Sequence, residues 1–307
     1  MPPTRYEATV KFKILTVVGA IALVAGVVFA VQVRTSGSYH PYRGPSATPG
    51  TPAARHVPTR RIALNTTPAD YPRLKELGFD LVDAQPGDAA LARVPAGMRA
   101  MLWVGNFTCD DFSLSFDAFA AAVRRYGHDP RVYGWYLSDE PNPGECPKVL
   151  GEIRRRADLI RAEAPGQVAF VSLTDWPMGD ATPAKLHVDV VGLDPYPCQG
   201  GTSPRAGCDL GAIDRMVRLA DQAGIPRASV APVLQTFGQG CTDGDKQYWM
   251  PTGAQFRALL ERWDRLVPDP PLEIAYSWGH QARYACPTLS DAADLQSILK
   301  ERNTRRR

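Results

Sequence analysis

The chain has 307 residues, 44% hydrophobic and 22% charged, a balance that excludes both a disordered chain and one built wholly of membrane spans. A formal net charge of +3, with no basic stripe interleaved with aromatics, leaves no electrostatic footprint for a nucleic-acid partner. The basic residues that do cluster, Lys300, Arg302 and Arg305 to Arg307, read as a solvated helix end running into a short tail at 304–307.

In chain order, residues 1–13 carry Arg5, Lys11 and Lys13, and Ile14 to Val33 follow without a charge. Crossing a hydrocarbon core takes about 20 apolar residues, so 14–33 is expected to be a transmembrane signal-anchor. The positive-inside rule puts residues 1–13 in the cytoplasm and the rest outside. Val28-Phe29-Ala30 also fits a cleavage site, and cutting after Ala30 would yield a secreted protein instead. Residues 34–60 are rich in Pro, Ser, Thr and Gly and lack a period, which predicts a flexible stalk.

From Arg61 onward, short β-branched or aromatic runs alternate with segments of helical spacing. Strands are predicted near Ile62–Asn65, Leu81–Asp83, Ala100–Val104, Val132–Leu137, Val168–Leu173, Val188–Leu193, Ser229–Gln235 and Ile274–Trp278. Helical patterns cover Tyr71–Leu77, Asp88–Arg93, Phe116–Tyr126, Lys148–Ala164, Thr182–Leu186, Leu210–Ala223, Thr252–Leu266 and Ser290–Arg302. Thr252 and Ser290 are the expected N-caps, and Gly166 and Gly224 the expected stops. The rhythm is that of a (β/α)₈ TIM barrel over 61–303. A doubly wound sheet shares it but needs a phosphate loop, and neither Gly105-Asn106-Phe107 nor Gly200-Gly201 is one.

Cys109, Cys146, Cys198, Cys208, Cys241 and Cys286 form an even set, as in exported proteins with disulfides. All fall in loops after predicted strands, and neighbouring loops favour Cys109–Cys146, Cys198–Cys208 and Cys241–Cys286. No Cys-x-x-Cys, His-x-His or His-Glu-x-x-His occurs, so no metal site is expected, and no cofactor is implied. Gly-x-Ser-x-Gly is absent as well.

Function in such a barrel gathers where strands end. Strand four runs Tyr133-Gly134-Trp135-Tyr136-Leu137-Ser138 into Asp139-Glu140-Pro141-Asn142. Burying adjacent carboxylates is costly without a purpose or a partner. A helix N-terminus also attracts acids, but the helical pattern resumes only near Cys146.

The Asp139-Glu140-Pro141 ending resembles the Asn-Glu-Pro ending of strand four in the clan of (β/α)₈ retaining glycoside hydrolases that includes cellulases and β-galactosidases. Asp189 to Tyr196 is similar to that clan's strand six, Pro232 to Gly238 to its strand seven, and Tyr276-Ser277-Trp278 to its strand eight. The resemblance implies a general acid/base role for Glu140 and a carbohydrate substrate. It also exposes a departure. Strand seven in the clan ends Glu-Phe-Gly, the Glu being the nucleophile, whereas here the residues are Gln235-Thr236-Phe237-Gly238.

Three accounts stay open: another acid (Asp194, Asp175 or Asp139) is the second carboxylate, the substrate supplies its own nucleophile, or the domain only binds glycans. Catalysis is therefore expected at Glu140, Asp139 and Asp194. Asn142, Asp175, Trp176, Tyr196, Gln235, Trp249, Trp278 and His280 are expected to contact substrate. Aromatic rings beside polar groups suit the C–H faces of sugars. The overall expectation is a membrane-anchored, extracytoplasmic glycoside hydrolase or transglycosidase, with a non-catalytic glycan-binding barrel as the alternative.

Overall fold

The computed structural model describes residues 58–175, 178–200, 207–244 and 246–305. Eight parallel strands close into a barrel in chain order. They are β1 (Arg60–Ala63), β2 (Leu81–Ala84), β3 (Arg99–Trp103), β4 (Val132–Asp139), β5 (Val168–Leu173), β6 (Val190–Leu193), β7 (Val230–Gln235) and β8 (Leu272–Tyr276). The intervening helices are α1 (Tyr71–Glu76), α2 (Asp88–Leu91), α3 (Phe116–Tyr126), α4 (Val149–Glu163), α5 (Pro183–Leu186), α6 (Gly211–Gln222), α7 (Gly253–Leu266) and α8 (Ala293–Arg305). The expected (β/α)₈ barrel is the observed one. The expected anchor at 14–33 and most of the stalk lie outside the described residues. Among those described, no helix is long and apolar enough to cross a membrane.

Side-chain alternation along each strand divides the core into two layers. Ile62, Leu81, Met101, Phe170, Val233 and Ile274 fill the barrel interior. Val82, Leu102, Trp135, Val171 and Leu234 face outward onto Phe119, Ile153, Ile213, Phe256 and Trp263 of the helices. Each large apolar side chain so buried contributes about 1.5–3 kcal/mol.

Charge in two strands hides their true starts. β1 begins at Arg60 and β8 at Leu272, earlier than hydrophobicity implies, because Arg61 and Glu273 stand opposite one another in register. Their side chains pair at 3.4 Å, and Arg302 of α8 also binds Glu273.

Helix boundaries follow the caps. Thr252 caps α7 with a full capping box through Gln255, as expected. Ser290 is not a cap: Thr288 and Asp291 build a capping box around a single 3₁₀ turn, Leu289–Asp291, and α8 starts after it. Gly166 and Gly224, at φ of +91° and +79°, follow α4 and α6 in the left-handed region that favours glycine.

Strand β4 departs from simple alternation, and this positions the site. Tyr133, Tyr136 and Asp139 all reach the barrel interior or its mouth, although a regular strand cannot keep third neighbours on one face. Register shifts against β3 near Tyr133 and against β5 at Leu137 resolve the conflict. Each inserts one residue and turns the next side chains to the other face. Gly134 sits at the crowded step, where a side chain would meet the Val168 carbonyl.

All six cysteines are bonded, in the expected pairs Cys109–Cys146, Cys198–Cys208 and Cys241–Cys286.

Candidate active site at the barrel mouth

The C-terminal ends of the strands surround a cavity of about 150 Å³. It is lined by Leu64, Asn65, Asp83, Trp103, Tyr136, Asp139, Ser172, Tyr196, Val233, Ile274, Tyr276 and Gln281.

The end of β4 is held on several sides. Asn106, in the loop after β3, accepts from the Asp139 amide at 2.7 Å and from the Ser138 hydroxyl at 3.4 Å. The Tyr136 phenol donates to Asp139 at 2.6 Å. Glu140 then turns into left-handed backbone, φ +46°, with its amide donating to the Ser172 carbonyl at 3.1 Å. A non-glycine residue held there stores strain that neighbouring contacts must hold in place.

Glu140 is exposed at the mouth, yet its carboxyl meets that of Asp194, a residue only 4% exposed just after β6. The Ser172 hydroxyl donates to one oxygen of Asp194 at 3.3 Å, whereas the other faces no N–H or O–H donor. A proton held between this carboxyl and that of Glu140 would satisfy it. Burial and the charges of Glu140 and Asp139 push the Asp194 carboxyl well above the usual range. Glu140 is raised by burial and by Asp139, with the Asp194 hydrogen bond opposing. Asp139 is raised by burial against the Tyr136 hydrogen bond.

The opposite wall is one that sequence reasoning missed. Asp83, near the end of β2, accepts from the amides of Asn65 (2.7 Å) and Thr66 (3.1 Å) and from the Thr66 hydroxyl. Burial outweighs these bonds and lifts its pKa to about 6. Beside it a polar relay crosses the mouth: Tyr276 donates to Gln281 at 2.5 Å, Gln281 to Asn65 at 2.9 Å, and Asn65 to Ser277 at 2.9 Å. Aromatic rings complete the wall, with Trp103 edge-on to Tyr136 and Tyr196 stacked on Tyr276.

The expected residues divide into three groups. Asp139 and Tyr196 line the cavity, and Glu140 and Asp194 form the pair beside it. Asp175 is exposed and acts on Glu140 only through its charge. Trp176 lies outside the described residues.

The others are held by contacts within the protein. Gln235 is fully buried: its amide accepts from the Cys198 N–H and donates to the carbonyls of Cys198, Trp249 and Phe237, locking two loops together. Trp249 (2% exposed) and Trp278 (4%) are packed away from the cavity, Trp278 within the layer between barrel and helices. His280 pairs with Asp291 at 2.6 Å, and its neighbour Gln281 reaches the cavity instead. Asn142 accepts from the amides of Gly144 and Glu145, shaping the loop that leads to Cys146. Among the described residues no group of His, Cys, Asp or Glu is arranged to hold a metal ion.

No family model matches the chain, and no curated protein matches it. Solved structures do resemble it. A β-galactosidase from the psychrophilic Marinomonas ef1 aligns with a TM-score of 0.56 at 11% identity, covering 80% of this chain and 59% of that one. A Ruminococcus gnavus β-glucuronidase in complex with D-glucuronic acid gives 0.53 at 13%, covering 81% and 49%. A Lactobacillus rhamnosus β-glucuronidase gives 0.52 at 12%, covering 80% and 50%. The chain thus spans about half the length of these neighbours. At such identities the likeness is one of fold alone: a closed barrel of eight parallel strands with intervening helices.

Proposed function

We propose that this chain is a glycoside hydrolase, or a transglycosidase, in which Glu140 is the general acid/base. The observation that carries the reading is the carboxyl pair of Glu140 and Asp194 beside an aromatic-lined cavity at the strand ends. A general acid must hold its proton near working pH, and burial plus like charge favour that here. Glu140 donates its proton to the glycosidic oxygen as the bond to the anomeric carbon breaks. Water attacks that carbon and passes its proton to a second carboxylate, for which Asp139, lining the cavity, is best placed. Burial and the charge of Asp139 keep Glu140 protonated, and its hydrogen bond with Asp194 orients it. Without an acid at the end of strand seven, direct water attack with inversion is favoured over a covalent intermediate.

The setting is the outer face of a membrane, with 14–33 as anchor and 34–60 as stalk. The uncharged run Ile14–Val33 supports this, as do six cysteines all joined in bridges. The activities for which the neighbours are named, on β-galactosides and β-glucuronides, support a carbohydrate as the ligand.

A second reading, a glycan-binding barrel without catalysis, is favoured by one observation: Gln235 is locked into backbone contacts where the clan carries its nucleophile. A panel of polysaccharides separates the two. Release of reducing ends by the wild type, reduced about 10²–10⁴-fold in Glu140→Gln, is the expected result. Glycan binding without release, unchanged by the substitution, would establish the second reading.

A further inference from the structure

The charge lining the cavity is one-sided. Asp83 and Asp139 are its carboxylates, and none of the described lining residues is Lys, Arg or His. Asp139, Glu140 and Asp194 add enough negative field to raise the phenols of Tyr196 and Tyr276, on top of burial. Nearby cations face elsewhere. His280 is held by Asp291, and Arg283 lines a separate groove with Gln239, Asp243 and Tyr284. A sugar carboxylate placed in the cavity would lose water beside like charges, with no cationic partner to compensate.

Asp83 gives the cavity a polarity. Thr66 supplies two donors to one of its oxygens and Asn65 one to the other. These donors are neutral, so an ionised Asp83 keeps a net negative charge in the cavity wall. Its wall also carries Trp103 and Tyr276, rings suited to the apolar face of a sugar.

From this geometry we infer that the cavity selects an amino sugar, whose ammonium pairs with the Asp83 carboxylate, and rejects uronic acids. The inference rests on the carbohydrate reading above and narrows its substrate class. A charge-assisted bond to a half-buried carboxylate is worth more than a neutral hydroxyl contact at the same place.

The test is calorimetric titration of the full chain at pH 7 with methyl glycosides of glucosamine, glucose and glucuronic acid, and with the three galacto counterparts. In one series the amino sugar should bind at least about tenfold tighter than the neutral sugar, about 1.4 kcal/mol, with the uronate not detected. Asp83→Asn should remove the difference in affinity between the amino and neutral sugars. Equal binding of neutral and amino sugars, or any uronate bound as tightly as either, overturns the inference and leaves the carbohydrate reading standing. Preference for the amine that persists in Asp83→Asn removes Asp83 from it. If no sugar of any charge binds, both readings fall. The wild-type comparison needs no variant, so a poorly folding Asp83→Asn would not rescue the claim.

Discussion

The two ends of the barrel treat buried carboxylates in opposite ways. At the N-terminal end, Glu273 is 3% exposed and lies between two arginines, Arg61 and Arg302, and Arg302 also binds Asp264 at 2.6 and 2.8 Å. At the C-terminal end, Asp139, Glu140 and Asp194 gather with a tyrosine, a serine and one another for company. Opposite charge at one end binds strand to helix. Like charge at the other holds protons on acids that would otherwise release them. The first arrangement suits stability and the second suits the proposed chemistry, the division expected between the two faces of this fold.

Substitutions at each end test this contrast. The largest effect should come from Glu140→Gln, with kcat/KM on a responsive polysaccharide lower by about 10²–10⁴ and little change in Tm. A similar loss of Tm would mean that Glu140 is a structural residue. Glu273→Gln should do the reverse. Removing the charge that Arg61 and Arg302 share is expected to cost about 3–5 kcal/mol in denaturant unfolding while leaving activity in the folded fraction intact. Activity lost in proportion beyond unfolding would erase the distinction between the ends.

Gln235→Glu places an acid at the end of β7. Its new carboxylate oxygen would face three carbonyls that now receive the amide N–H groups. The expected result is destabilisation of about 1–3 kcal/mol or more, with no covalent glycosyl intermediate by mass spectrometry. Trapping such an intermediate would show that the retaining machinery had merely lost its acid.

The smallest effect is a pH dependence. Asp194 has its folded-state pKa raised, so the folded chain binds more protons than the unfolded one above about pH 4. Its contribution to stability is present below the unfolded pKa and is lost as pH rises through the folded one. Asp194→Asn should therefore be more stable than the wild type at pH 8, with the difference shrinking toward pH 4. A constant difference across that range would argue against a shared proton.

The barrel was legible because period-2 and period-3.6 apolar patterns alternate with little interruption, and the cysteine pairs because neighbouring loops carried them. Asp139 and Glu140 stood out as acids ending an apolar strand. Asp83 did not, since Val82-Asp83-Ala84-Gln85-Pro86-Gly87 reads as an ordinary strand running into a turn. Its importance comes from the loop after β1, which folds back to bind it. Trp249 and Trp278 misled for a related reason. A tryptophan near a strand end suits a sugar face and a packed core equally well, and only tertiary contacts decide. Tyr276, one turn of alternation earlier than Trp278, is the ring that reaches the cavity. The role of Gln235 depends on backbone groups from two loops distant in sequence, and no local pattern announces it.

The disulfides bear on how the protein has to be made. Cys109–Cys146 ties the loop after β3 to the loop after β4, and Cys241–Cys286 ties those after β7 and β8, while Cys198–Cys208 closes the loop after β6. All three lie in loops beyond the strand ends, so they fix the mouth rather than join strand to helix. Material produced in a reducing cytosol would lack these ties, and a negative activity assay on it would not test the proposed function.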